Sequence, residues 1–197
     1  MAKRLFDWVA SSLGLLVLSP VFLILALWIK LDSSGPVFFR QERVGQGGRV
    51  FRIHKFRTMV TDAERLGLQI TVGTDARVTR VGHWLRKYKL DELPQLLDVW
   101  RGCMSLVGPR PEVPRYVAYY PADVRNLVLS VRPGITDLAS IEFKDENEIL
   151  GRADDPHLAY VQEVLPIKLK YYKDYVVNRT LMKDIQIILC TFKALVR

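Results

Sequence analysis

Residues Val9–Ile29 carry no charge, and from Leu13 onward the run is almost wholly apolar. At about 1.5 Å of rise per residue, it is long enough to cross a hydrocarbon layer of about 30 Å as a helix. It is long for the apolar core of a cleavable leader, and Lys30–Leu31–Asp32 follows it where a small-residue cleavage site would stand. The run is therefore expected to be a retained membrane segment.

Two features bear on whether the segment spans or turns back. Ser19–Pro20 lies near its middle, where proline removes a helical hydrogen bond and favours a kink. Lys3 and Arg4 precede the run and Lys30 and Arg40 follow it, so the positive-inside rule votes for cytoplasm at both ends. A broken helix that enters and leaves one leaflet satisfies both features; a kinked single span satisfies the first. Asp7 needs a partner or the water interface, and Arg4 is the nearest candidate.

The most chemically pointed stretch is Leu90–Leu97. Asp91 and Glu92 are followed by Leu93, Leu96, Leu97 and Trp100, a spacing that predicts one apolar helical face. Pro94 is tolerated only in a first turn, which starts the helix near Asp91. The acid pair then sits at the positive end of a helix dipole, just after Arg86, Lys87 and Lys89. Both influences are expected to hold a carboxylate ionised, as a nucleophile or metal ligand requires. A plain N-cap is the bland alternative for Asp91.

Elsewhere, Val37–Phe39 and Val50–His54 flank a turn with glycine at 45, 47 and 48, which predicts a small β-hairpin. The glycine turn lacks the Lys–Ser/Thr ending of a phosphate-cradling P-loop. Lys55–Met59 sets two cations around an aromatic. Thr61–Leu68 reads as a short helix and Val78–Lys89 as a cationic one. Pro109 and Pro111 flank Arg110, fixing the backbone around a guanidinium suited to bidentate phosphate contact. Arg132–Thr136 is a second loop of that character. Asp145–Asp155 is acidic and reads as a surface helix and loop. Pro156–Val177 reads as a helix broken near Pro166. Thr180–Val196 is amphipathic, with Leu181, Ile185, Ile188, Leu189 and Phe192 on one side, a pattern that fits either a core helix or interfacial docking.

The chain has 197 residues, with 29 Lys and Arg against 21 Asp and Glu, for a net charge of +8. That surplus suits nucleic acid, anionic lipid or phosphorylated ligands, and no nucleic-acid-binding motif accompanies it. Cys103 and Cys190 have no metal-ligand spacing, and His54, His83 and His157 are scattered.

In this order the motifs resemble the bacterial sugar transferase family, the small monotopic phosphoglycosyl transferases. The resemblance runs from Lys3–Asp7 through Ser19–Pro20, Gly35–Gly45, Lys55–Met59, Leu90–Gln95, Ser105–Pro111 and Arg132–Thr136 to the C-terminal amphipathic helix. It implies an α+β, mostly helical fold. Residues 1–31 would form a re-entrant membrane helix kinked at Ser19 and Pro20. Residues 32–197 would form a catalytic domain, with amphipathic interfacial helices around a site on the cytoplasmic face of the bacterial plasma membrane. The implied reaction moves a phosphosugar from a UDP-sugar to undecaprenyl phosphate, releasing UMP. Asp91 would be the nucleophile and a ligand of Mg²⁺, with Glu92 binding or orienting. Arg86 and Arg110 would hold phosphates, and Lys55 and Arg57 are grouped with them. Membrane lipids and later glycosyltransferases of the same pathway are the implied partners, and nucleic acid is not.

Some positions depart from the family pattern. Asp137 and Ser140 stand at the Gly and Gln places of the Arg-Pro-Gly-Ile-Thr-Gly-Leu-Ala-Gln loop, and Cys103 stands where an acidic or polar residue is usual. These leave the dyad intact but bar any transfer of sugar specificity. The chain is expected to be the minimal form, without the multi-span region of larger relatives. The competing readings are a non-catalytic, membrane-anchored phospholipid-binding module and a phosphohydrolase that passes an aspartyl-phosphate to water.

Overall fold

The computed structural model describes residues 1–61, 63, 75–143 and 146–196. The apolar run forms the middle of α1 (Ala2–Asp32), a helix long and apolar enough to cross a membrane. Thirty-one residues correspond to about 46 Å of helix. Most of its surface is uncovered, including Leu16, Val17, Leu23, Ile24 and Leu27. The chain stays helical through Ser19–Pro20. Pro20 has no N–H for the carbonyl of Leu16 four residues back, and Ser19 Oγ donates to that carbonyl instead at 2.8 Å.

Both ends of α1 are fastened to the rest of the protein. Near the start, Lys3 Nζ reaches Asp184 Oδ2 at 2.6 Å and the Val107 carbonyl at 3.1 Å. Arg4 donates to the carbonyls of Val99 and Trp100. Asp7 is buried and does not use Arg4 as the sequence suggests; it accepts from Ser105 Oγ at 2.8 Å and the Leu106 amide at 3.1 Å. Near the end, Leu25 and Ile29 pack with Phe56, Val81 and Leu85, and Asp32 accepts from the Val81 amide.

The expected hairpin is present and longer than its apolar cores indicate. Strands β1 (Phe38–Val44) and β2 (Val50–Phe56) pair antiparallel from Phe38↔Phe56 to Val44↔Val50. Helix α2 (Arg80–Lys87) follows, capped by Thr79 Oγ1 on the Gly82 amide. Residues Leu90–Gln95 form a 3₁₀ segment that runs into α3 (Leu96–Arg101). Pro94 explains the tight first turns, since it cannot donate to an α-helical carbonyl. The helical expectation for Thr61–Leu68 lies largely outside the described residues.

Strand β3 (Ser105–Val107) begins a crossover through α4 (Pro114–Val117) and α5 (Ala122–Val128) to β4 (Gly134–Thr136). These two motifs, expected as loops, instead pair in parallel, Ser105↔Gly134 and Val107↔Thr136. A Cβ on Gly134 would stand 2.1 Å from the Gly108 amide nitrogen, so the close approach requires glycine. Helices α6 (Leu138–Glu142), α7 (Glu146–Gly151) and α8 (Pro156–Ala159) follow. A π-helical turn at Tyr160–Val164 joins α8 to α9 (Leu165–Asn178), just ahead of Pro166, where the break is expected. The chain closes with α10 (Leu181–Val196).

The largest core joins Val44, Val113, Tyr116, Tyr120 and Val128 to Leu165, Leu169 and Tyr172 of α9. Two helices leave part of their apolar surface uncovered. On α3 the residues facing inward are Asp98 and Val99, while Trp100 is exposed and Leu96 and Leu97 are half-buried, Leu96 at the level of Gly14 of α1. On α10 the inward line is Asp184, Ile187 and Thr191, leaving Leu181, Leu189 and Phe192 uncovered. The result is a mostly helical α+β fold with one long apolar helix and a small hairpin.

Candidate active site

Four elements converge on the acid pair. The end of β2 supplies Lys55, α2 supplies Arg86, the 3₁₀ segment supplies Asp91 and Glu92, and the loop after β3 supplies Arg110. Lys89 enters the segment at φ 54°, a left-handed turn that reverses the chain just before the acids. Asp91 lies inside the first turn without making a cap hydrogen bond, so it is not an N-cap.

The neighbouring carboxylates face different surroundings. Glu92 accepts from both terminal nitrogens of Arg110, through Oε1 and through Oε2 at 3.1 Å, and from Lys55 Nζ at 2.7 Å. Asp91 has Lys55 Nζ at 4.0 Å, too long for a hydrogen bond. These differences set the two acidities apart. Burial pushes the Asp91 carboxyl up, against the pull of Lys55 and with added repulsion from Glu92. Burial acts on Glu92 too, but Arg110 and Lys55 outweigh it and hold that carboxyl well below its usual range. The expected pull of nearby cations is strongest at Glu92, where it comes from Arg110 and Lys55. At Asp91 burial works against the cations, an effect that no local pattern reveals.

The remaining candidates divide. Arg86 donates through Nε to Thr58 Oγ1 at 2.9 Å, and its charge acts on Asp91. Arg57 is not brought to the pair. Its guanidinium is buried and donates to the carbonyls of Ser33, Ser34 and Pro36, clamping the exit from α1. Ser19 and Pro20 belong to α1.

Several residues of the site were not anticipated. Arg43 Nη1 donates to the Pro111 carbonyl at 3.2 Å and lies 3.6 Å from Glu112 Oε2. Tyr160 donates its hydroxyl to Glu112 Oε1 at 2.6 Å. This group braces the Arg110 loop from behind. The available signal was the alternation of β1, which turns Phe39, Gln41 and Arg43 inward together. His54 and Asp98 form a further buried pair at 2.7 Å. Asp137 caps α6, accepting from Ser140 N and Ser140 Oγ, so the two departures from the family loop bond to each other.

A divalent cation is chemically compatible with Asp91. Among the described residues no three His, Cys, Asp or Glu side chains cluster as a metal cage. Mg²⁺ commonly takes one or two carboxylates and fills its shell with water and substrate phosphate. A carboxylate not held by a close hydrogen bond, next to three cations suited to phosphate, meets that requirement.

Comparison with known proteins adds independent findings. The family model described as bacterial sugar transferase matches residues 1–197. A UDP-N-acetylgalactosamine-undecaprenyl-phosphate N-acetylgalactosaminephosphotransferase of Aeromonas hydrophila is 38% identical over 195 residues, covering 98% of this chain and 43% of the relative. An undecaprenyl-phosphate glucose phosphotransferase of Komagataeibacter xylinus is 44% identical over 169 residues, covering 78% of this chain and 30% of the relative. A UDP-glucose:undecaprenyl-phosphate glucose-1-phosphate transferase of Caulobacter vibrioides is 39% identical over 197 residues, covering 99% of this chain and 70% of the relative. The chain thus spans less than half the length of the first two.

Proposed function

The chain belongs to the bacterial sugar transferase family, and from that premise we propose that it transfers a phosphosugar from a UDP-sugar to undecaprenyl phosphate. The observation that carries this reading is a buried carboxylate, Asp91, beside Lys55 and within the field of Arg86, with Glu92 and Arg110 adjoining. An Asp91 oxygen attacks the sugar-bearing phosphorus, the bond to the UMP oxygen breaks, and UMP leaves with the electron pair. An oxygen of the lipid phosphate then attacks the same phosphorus. The bond to Asp91 breaks, and the carboxylate is regenerated with undecaprenyl-diphosphate-sugar as product. Lys55, Arg86 and Arg110 bind and orient phosphate oxygens and offset their charge. Mg²⁺ held by Asp91 would neutralise diphosphate oxygens and ease departure of UMP.

The two ends of α1 bear on the membrane arrangement. A single span would put its two ends on opposite aqueous faces, whereas Lys3 and Arg4 at one end and Asp32 at the other all bond to the same folded unit. That supports residues 1–31 as a re-entrant, monotopic helix bent at Ser19–Pro20. The basic flanks support a position for residues 32–197, read as the catalytic part, at the cytoplasmic face. The uncovered apolar surface of α3 and α10 supports docking at the headgroup layer, where the polyprenyl phosphate head lies. Later glycosyltransferases of a polysaccharide pathway would take up the product.

Initial rates measured with both substrates varied test the scheme. A covalent intermediate with release of UMP before lipid binding gives parallel double-reciprocal lines. Intersecting lines would contradict it.

A further inference from the structure

We propose that Arg43, Lys55 and Arg110 form one phosphate seat, and that the Glu92 carboxylate fills it while no phosphorylated ligand is bound. The inference rests on the transferase reading only for the identity of the natural ligand. Glu92 takes three charge-assisted hydrogen bonds, two from the Arg110 fork and one from Lys55. A guanidinium fork binds carboxylate and phosphate in the same bidentate manner, so Glu92 is held as a phosphate group would be. Beside it lies a small cavity of about 10 Å³ lined by Arg43, Ile53, Lys55, Gln95, Arg110 and Pro111. Three cationic side chains and an amide thus share one enclosure large enough for a single oxygen-sized occupant.

Arg43 shows that the enclosure is not electrostatically complete. Its Nη2 donates to Gln41 and its Nη1 to the Pro111 carbonyl, but its Nε is buried without an acceptor. Glu112 approaches Arg43 only at Nη1, with Oε2 at 3.6 Å, and its Oε1 is taken by the Tyr160 hydroxyl. A buried N–H of a charged group without a partner is costly, and a phosphate oxygen reaching into the cavity would supply the acceptor. Phosphate has more oxygens than a carboxylate and can engage Lys55 and Arg110 while extending one oxygen toward Arg43. Entry displaces Glu92 from the two cations it now holds. Glu92 therefore competes with phosphate and keeps the cations oriented when phosphate is absent.

Calorimetric titration of the purified full chain with inorganic phosphate, in detergent and without nucleotide, lipid or Mg²⁺, tests this. Glu92→Gln is expected to bind phosphate at least ten-fold more tightly than the parent, and adding Arg43→Met to it should reverse most of that gain. Binding by Glu92→Gln no tighter than the parent overturns the proposal. Should that variant not fold, Glu92→Asp keeps the charge but withdraws it by one methylene; it too must bind phosphate more tightly, and equal binding overturns the inference. The transferase reading fails separately. A parent that releases no UMP from any UDP-sugar removes that reading while a gain in Glu92→Gln leaves the seat standing, and UMP release without such a gain does the reverse.

Discussion

Ser105 Oγ donates to Asp7 Oδ2 at 2.8 Å across 98 positions of sequence, tying the membrane helix to the strand that leads to Arg110. The same carboxylate takes the Leu106 amide. Asp7→Ala leaves two donors of a buried contact unpaired, with an expected cost of about 1–3 kcal/mol. Asp7→Asn, which keeps an acceptor, should cost less. Urea unfolding of both variants in detergent measures the difference, and equal stability of Asp7→Ala and the parent would refute the tie.

Ser19 and Pro20 act as a unit. Because Ser19 Oγ supplies the donor that Pro20 denies to the Leu16 carbonyl, Ser19→Ala leaves that carbonyl bare on an exposed, apolar stretch. A loss of about 0.5–1.5 kcal/mol is expected, restored by the double change Ser19→Ala with Pro20→Ala, which returns the backbone N–H. Thermal midpoints in one detergent for the single and double variants provide the check.

Gly134→Ala tests the pairing of the two proline loops. The added methyl would meet Gly108 N at 2.1 Å and Gly108 O at 2.5 Å. Neither is a flexible side chain, so β3 and β4 must separate. A cost of about 1–3 kcal/mol or more is expected, together with loss of turnover because the Arg110 loop shifts. A variant of unchanged melting temperature and unchanged UMP release would show that the close approach is dispensable.

Asp137 gives a pH dependence of defined sign. Burial pushes its carboxyl up, opposed by the Ser140 hydrogen bonds and by Arg110 and Lys168. The folded state therefore holds the proton more tightly than the unfolded chain. Stability from this group falls as pH rises from the usual carboxylate value, about 3.9, through the folded one. Asp137→Asn keeps an oxygen for capping α6 and removes that slope. Urea midpoints at mildly acidic and neutral pH should differ less in the variant, which should be at least as stable as the parent at neutral pH. A steeper slope in the variant would contradict the assignment.

Much of this architecture is legible in local pattern. The uncharged run announces α1, two apolar runs around a glycine turn announce the hairpin, and Pro94 locates the start of the Asp91 segment. What was hidden depends on contacts between distant segments. Three-residue strands carry too little periodicity to declare themselves, and β3 meets β4 only because Gly108 and Gly134 bring two backbones together. Arg57 looks like a phosphate ligand until the exit of α1 supplies three carbonyls for it. Arg43 shares a strand face with Phe39 and Gln41, but what that face meets, Glu112 and the Pro111 carbonyl, comes from distant sequence. The acidity of Asp91 is likewise a matter of burial rather than neighbours in sequence. The apolar faces of α3 and α10 were visible, but whether such a face turns inward or toward lipid depends on what covers it.

The central claim is that Asp91 carries the phosphosugar between its two substrates. Intact mass spectrometry of the purified chain, mixed with Mg²⁺ and a panel of UDP-sugars in the absence of polyprenyl phosphate, addresses it most directly. The account predicts a mass increase equal to one phosphosugar with a cognate donor, accompanied by UMP and absent in Asp91→Asn. Product formed from donor and lipid with no adduct, or an adduct that persists in Asp91→Asn, would contradict it.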